Sequence, residues 1–134
     1  MTGNDETTDL ALKYGSDGLI PTIISDAKTG AVLMFAFMNQ AALDASIETS
    51  IVHFWSRSRN ALWQKGETSG EFFQITEIRV DCDQDVLLIL AEAKGIGAAC
   101  HTGRATCFYR RINSGRLEFV GEKPLFDPKS VYGL

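Results

Sequence analysis

The chain has 134 residues and a formal net charge of −4 at pH 7. This length predicts one domain that can bury a core without disulfides. The acidic balance argues against a general nucleic-acid binder, which needs a basic surface against phosphates. No run of about 18 apolar residues is present to predict a membrane span.

The polar, acidic N-terminus is unlike a secretory or mitochondrial targeting segment, and the chain has an odd number of cysteines, three. We therefore expect a cytoplasmic protein with reduced or metal-bound thiols. Residues 1–17 are predicted to be a flexible lead and residues 18–121 the folded domain. The segment 122–134, which contains proline and glycine, is expected to be an irregular tail.

The first elements are two apolar, β-prone segments, residues 19–25 and 31–37. The loop between them contains Gly30, which suits a hairpin, so the two strands should pair antiparallel. Asn39 is an expected N-cap for a helix over residues 40–48, in which Leu43 and Ile47 would share a face.

The second half predicts further strands and no confident helix. A continuous apolar run at 86–90 is typical of a strand covered on both faces, and an irregularity is expected near Thr76 and Glu77. The whole pattern predicts an α+β fold, a compact single domain of mostly antiparallel strands with few helices. The further strands are expected at 51–56, 71–80, 86–90, 106–112 and, after a turn at 113–115, 116–120.

Three aspartates alternate with other residues in the segment 81–85. If that segment is extended, Asp81, Asp83 and Asp85 lie on one face and Cys82 points to the other. Three like charges on one short face repel unless a cation is present, and carboxylates suit a hard ion such as Mg²⁺. The alternative is a solvated acidic turn.

The three cysteines Cys82, Cys100 and Cys107 are candidate zinc ligands. Three thiolates without a fourth would leave an open position for water, which distinguishes a catalytic zinc from a structural one. Their spacing alone does not establish a zinc site, and ordinary buried cysteines are the alternative. His101 could be a ligand, a general base or a hydrogen-bonding group, whereas His53 is expected to be structural.

The segment 55–70 concentrates cations, tryptophans, hydroxyls and glycines. These groups suit a phosphorylated, flat, aromatic ligand, because guanidinium and ammonium groups bind phosphate and an indole can stack on a base. The alternative is an exposed basic loop with tryptophans in the core. The candidate ligand-binding residues are Trp55, Arg57, Arg59, Trp63, Lys65, Glu67, Thr68 and Ser69.

A series of motifs resembles the phosphoribosyl-AMP cyclohydrolase family of histidine biosynthesis, in its monofunctional form. The motifs run in family order between about residues 18 and 111, and the resemblance implies that residues 18–121 form a cyclohydrolase domain. Two departures are visible, Thr106 in place of an expected serine and an approach to Cys100 about two residues longer. The matching stretches are 33–39, 54–59, 62–70, 81–85, 99–103 and 107–108.

The resemblance implies a zinc-dependent hydrolase. Asp81, Asp83 and Asp85 would bind Mg²⁺, and Cys82, Cys100 and Cys107 would bind Zn²⁺. The implied assembly is an intertwined homodimer with zinc ligands from both subunits, which would explain the absence of a zinc motif within one chain.

The implied substrate is 1-(5-phosphoribosyl)-AMP. Activated water would attack adenine carbon 6 and the bond to nitrogen 1 would break, giving the formimino-imidazole carboxamide ribotide, the third step of histidine biosynthesis. As a hypothesis, His101 moves a proton in this reaction.

Two other functions are alternatives. A zinc purine deaminase predicts His-x-Glu and Pro-Cys-x-x-Cys, and the sequence contains neither. A non-catalytic, zinc-stapled nucleotide-binding dimer would use the metal only to hold the fold. The lack of a fourth cysteine argues against that alternative.

Overall fold

The computed structural model describes residues 6–121 and 123–132. A set of strands with two helices confirms the α+β prediction. Within the described ranges, no helix is long and apolar enough to cross a bilayer. The elements are β1 (Ile20–Asp26), β2 (Val32–Met38), α1 (Gln40–Thr49), β3 (His53–Ser56), β4 (Ala61–Gln64), β5 (Phe73–Val80), β6 (Leu87–Ala93), β7 (Arg110–Asn113), β8 (Arg116–Phe119) and α2 (Pro128–Tyr132).

The main sheet has four strands in the order β2-β1-β6-β5. The predicted antiparallel pairing of β1 with β2 is confirmed, and β5 and β6 are also antiparallel. The central strands β1 and β6 run parallel. Leu87 and Ile89 are buried while Leu88 is half-buried, so the prediction that this strand is covered on both faces was wrong. Only one face of the sheet is fully covered.

Helix α1 covers that face together with β3. The Asn39 side chain caps the helix by accepting a hydrogen bond from the Ala42 amide at 2.9 Å, as predicted. The buried positions are Ala42, Leu43 and Ser46, so Ile47 lies at the margin of the packed face and is exposed. The same hydrophobic core cluster includes Met34, Met38, Val52, Phe54 and Phe73.

Several predicted boundaries differ from the structure. The irregularity near Thr76 is confirmed, because the pairing of β5 with β6 shifts register between Ile75 and Glu77. Strand β4 was not predicted. The strand expected over 106–112 begins only at Arg110, as β7, because residues 106–109 have no regular secondary structure. Helix α2 lies in the segment expected to be irregular. Residues 1–5, 122, 133 and 134 of the predicted lead and tail lie outside the described residues.

Candidate active site and metal-binding residues

A cavity of about 170 Å³ opens beside the end of the β3–β4 hairpin. Six of the residues predicted to bind ligand or move a proton lie in its wall, together with one predicted zinc ligand. The hairpin contributes Trp63 to the cavity wall, and the turn after β4 contributes residues 65–69. The lining residues are Met34, Trp63, Lys65, Gly66, Glu67, Thr68, Ser69, Ala99, His101 and Cys107.

Lys65 is the buried cation of this cavity, with only 5% of its surface exposed. Its Nζ donates a hydrogen bond to the Glu71 backbone carbonyl at 3.1 Å and lies 5.2 Å from the centre of the Phe73 ring. Burial lowers the pKa of Lys65, and the nearby groups Cys107, Glu71 and Cys100 oppose this effect. The ammonium is therefore positioned where an anionic ligand or a thiolate would improve its environment.

Cys107 lines the cavity, and the buried Cys100 is its neighbour, close enough to change the pKa of the Cys107 thiol. Burial raises the pKa of Cys107 to about 12, and the neighbouring Cys100 adds to the effect. The Thr102 hydroxyl donates to the Cys100 sulfur at 3.1 Å, and the Cys107 amide donates to the Leu33 carbonyl at 2.8 Å. The loop between the cysteines therefore places two sulfur donors side by side.

Thr106 supports this placement from the edge of β2. Its hydroxyl donates to the Val32 carbonyl at 2.9 Å and accepts a hydrogen bond from the Phe108 amide at 3.0 Å. A serine hydroxyl could make the same bonds. The departure from the expected serine thus leaves the contact intact.

Asp81, Asp83 and Asp85 converge, with one potential ligand oxygen from each lying within 4.8 Å of the others. The clustering was predicted, but the extended backbone behind that prediction is wrong. Residues 82–85 form the turn between β5 and β6, in which Gln84 has a φ of 60°. Hydrogen bonds to the Asp81 and Asp83 side chains raise the pKa of Asp85 to about 6, because only a protonated carboxyl can donate to them.

Cys82 is exposed on the same turn, whereas Cys100 is buried. Over residues 6–121 and 123–132, the aspartate cluster is the one group of three potential histidine, cysteine or carboxylate ligands that come this close. The three predicted zinc ligands therefore do not assemble within the described part of this single chain. Only the pair Cys100 and Cys107 does.

Three predicted ligand-binding residues lie away from the cavity wall. Trp55 pairs with Leu62 across the β3–β4 hairpin. The Arg57 guanidinium lies 4.3 Å from the centre of the Phe37 ring, and Arg59 Nε donates to the Ser56 hydroxyl at 3.4 Å. Both arginines are exposed. The structure thus separates the hairpin tip from the cavity that the rest of the segment forms.

The acidic turn also borders a second cavity of about 430 Å³, to which Asp85 contributes with Lys13 and Tyr14. The Gln84 side chain connects this turn to the N-terminal segment 9–11. Its carbonyl accepts from the Ala11 amide at 2.7 Å and its amide donates to the Asp9 carbonyl at 3.0 Å. Part of the predicted N-terminal lead is therefore hydrogen-bonded to the aspartate turn.

Two sets of residues were not identified from the sequence, one in the wall of the main cavity and one behind that wall. Met34 and Ala99 form an apolar part of the cavity wall, and nothing in the sequence distinguishes them from ordinary strand and loop residues. Glu71 is buried, with its carboxylate hydrogen-bonded to the loop before Cys100. A charged residue directly after Gly70 and before an apolar alternation was the available signal. His53 is structural as predicted, with Nδ1 lying 2.8 Å from the Ile51 carbonyl.

Comparison with known proteins gives a consistent result. A sequence model of phosphoribosyl-AMP cyclohydrolase matches residues 34–109, more than half of the chain. The chain belongs to the phosphoribosyl-AMP cyclohydrolase family. The resemblance drawn from the motifs is confirmed, and with it the expectation of a hydrolase of histidine biosynthesis.

Individual relatives align over most of their length. A phosphoribosyl-AMP cyclohydrolase from Desulfatibacillum aliphaticivorans is 52% identical over 115 residues, covering 86% of this chain and 90% of that protein. One from Methanococcoides burtonii is 50% identical over 121 residues, covering 90% and 95%. One from Mesorhizobium japonicum is 48% identical over 124 residues, covering 90% and 81%.

Proposed function

We propose that this protein hydrolyses the adenine ring of 1-(5-phosphoribosyl)-AMP at the bond between carbon 6 and nitrogen 1. The observation that carries the proposal is the convergence of Trp63, Lys65 and His101 with Cys107 on one cavity, in a chain of this family. In the proposed reaction the oxygen of water bonds to carbon 6, the carbon 6–nitrogen 1 bond breaks, and nitrogen 1 takes up a proton.

The residues of the cavity have chemistry that fits this substrate. The Lys65 ammonium and the hydroxyls of Thr68 and Ser69 are hydrogen-bond donors for phosphate oxygens. Trp63 offers an indole in the cavity wall, held against Phe54 with the ring centres 5.3 Å apart. His101 is exposed at the cavity and, as an imidazole, can accept a proton from water or deliver one to nitrogen 1.

Zinc suits the sulfur donors, because Cys100 and Cys107 already lie together and thiolates are preferred zinc ligands. When bound there, zinc would supply the Lewis acidity that activates water at neutral pH. Cys82, exposed on its turn, would complete the ligand set from a second subunit of a homodimer. The oxygen cluster of Asp81, Asp83 and Asp85 suits Mg²⁺.

The reaction itself is tested with purified protein and phosphoribosyl-AMP, by following ring opening through ultraviolet absorbance before and after chelation and after zinc is restored. Product formation that chelator abolishes and zinc restores is the expected result. Release of ammonia would instead identify a purine deaminase. A bound but unchanged nucleotide would favour the non-catalytic, zinc-stapled dimer.

The shared zinc site is tested by mixing two inactive variants, Cys82→Ala and Cys107→Ala, under conditions that exchange subunits. Each mixed dimer would regain one intact site from the wild-type Cys82 of one subunit and the wild-type Cys107 of the other. Statistical mixing should then restore about one quarter of the wild-type activity. If all three ligands came from one chain, mixing would restore none.

A further inference from the structure

We propose that Glu71 is a positioning residue that holds Cys100 and the adjoining cavity wall in place. This proposal rests on the function proposed above in one respect only, which is that Cys100 would serve as a zinc ligand. Glu71 itself neither lines the cavity nor belongs to the predicted ligand sets. Its role is to hold the loop 95–98, which leads directly into Cys100.

The Glu71 carboxylate is the acceptor for that loop. The Ile96 amide lies 3.1 Å from Oε1 and 3.0 Å from Oε2, and the Ala98 amide donates to Oε1 at 3.0 Å. Hydrogen bonds to an ionised acceptor are about twice as strong as neutral ones. Since Glu71 and Ala98 are both buried, water cannot readily replace these bonds.

The loop transmits this anchoring to the site over two residues. Ala98, Ala99 and Cys100 are consecutive and buried, and Ala99 lies in the cavity wall. The backbone carbonyl of Glu71 also accepts the Lys65 hydrogen bond. Glu71 therefore holds the Lys65 ammonium through its backbone carbonyl, and it holds the loop before Cys100 through its side chain.

Gly95 is matched to this arrangement. A Cβ atom at Gly95 would lie 1.6 Å from Glu71 Oε2, so any larger residue must displace the carboxylate. Gly97 has a similar left-handed backbone, with φ of 88° against 80° for Gly95, but a Cβ there would meet nothing within 4 Å. Substitutions at both positions should strain the backbone, but only a substitution at Gly95 should also displace the Glu71 carboxylate. Comparing the two therefore distinguishes these effects.

The first test compares Glu71→Gln with Glu77→Gln, an exposed position on β5. In Glu71→Gln the new side-chain NH₂ group would face a backbone donor, so the Ile96 and Ala98 amides should exchange hydrogen faster in the metal-free protein. Affinity for Co²⁺, used as a spectroscopic probe of the cysteine site, should fall about tenfold with altered sulfur-to-cobalt absorption bands. Glu77→Gln should match wild type in each measurement.

Turnover provides an independent readout. Because Glu71 does not touch the cavity, Glu71→Gln should lower kcat more than it raises KM. Unchanged Co²⁺ bands and affinity would overturn the proposal, as would amide exchange at Ile96 and Ala98 equal to wild type. If wild-type protein did not open the adenine ring, the Co²⁺ and exchange results would still decide the role of Glu71.

The second test compares Gly95→Ala with Gly97→Ala. Gly95→Ala should reproduce the Co²⁺ spectrum and the fast amide exchange of Glu71→Gln, whereas Gly97→Ala should show only the strain of a left-handed alanine, about 1 kcal/mol of stability. Equal spectra for the two alanine variants would refute the link between Gly95, Glu71 and Cys100. This pair also serves if Glu71→Gln folds poorly.

Discussion

Replacing Lys65 with methionine should separate the role of the buried ammonium in catalysis from its role in folding. Methionine keeps a flexible apolar side chain of similar length but removes the charge and the 3.1 Å hydrogen bond to the Glu71 carbonyl. We expect a large loss of kcat/KM for phosphoribosyl-AMP with a small change in the free energy of unfolding.

The magnitudes follow from the surroundings of Lys65. Loss of the hydrogen bond leaves a carbonyl without that donor, a cost of about 1–3 kcal/mol. Removing a buried ammonium offsets this cost, because burial lowers the pKa of Lys65 and its charged form is therefore disfavoured in the folded state. The free energy of unfolding should then change by no more than about 2 kcal/mol.

The effect on activity should be larger. A charged donor to an anionic group contributes about 1.5–3 kcal/mol, so kcat/KM should fall roughly 10- to 150-fold. Lys28→Met, at an exposed position in the β1–β2 loop, is the matched control and should change neither quantity.

Urea unfolding and initial rates of ring opening measure the two effects. If kcat/KM stays within about twofold of wild type, Lys65 does not face the substrate. A loss of more than about 4 kcal/mol of stability would show instead that the ammonium is mainly a structural group.

Three further outcomes are expected. Because the pKa of Asp85 is raised to about 6, the stability that its protonated form contributes is present below about pH 4 and is lost as the pH rises through 6. Metal-free Asp85→Asn should therefore have a higher melting temperature than wild type at pH 7 but not at pH 4. Saturating Mg²⁺ should remove the difference at pH 7. Asn39→Ala should cost about 1 kcal/mol in urea unfolding by removing the cap on the Ala42 amide, whereas Asn39→Ser should restore most of it. His101→Ala should lower kcat at least about 100-fold with an unchanged melting temperature, and near-normal turnover would exclude its role in proton transfer.

The sequence by itself determined the local elements and the chemical composition of the site. Two apolar, β-prone segments and the glycine in the loop between them were enough to predict the β1–β2 pair, and Asn39 was enough to predict where α1 begins. These features depend on contacts between residues close in the chain, so local propensity decides them. The order of motifs likewise identified the family.

Only the tertiary structure decided which of these groups meet. Cys100 and Cys107 lie together because the loop between them folds back and the Cys107 amide donates a hydrogen bond to the Leu33 carbonyl of β2. Cys82 lies on a separate turn. Glu71 holds a loop 25 residues further along the chain. Such contacts depend on strand pairing between distant segments, which residue type and spacing do not specify. The sequence therefore predicted metal-binding and substrate-binding chemistry, while the packing of distant segments determined the cavity and left Cys82 apart from Cys100 and Cys107.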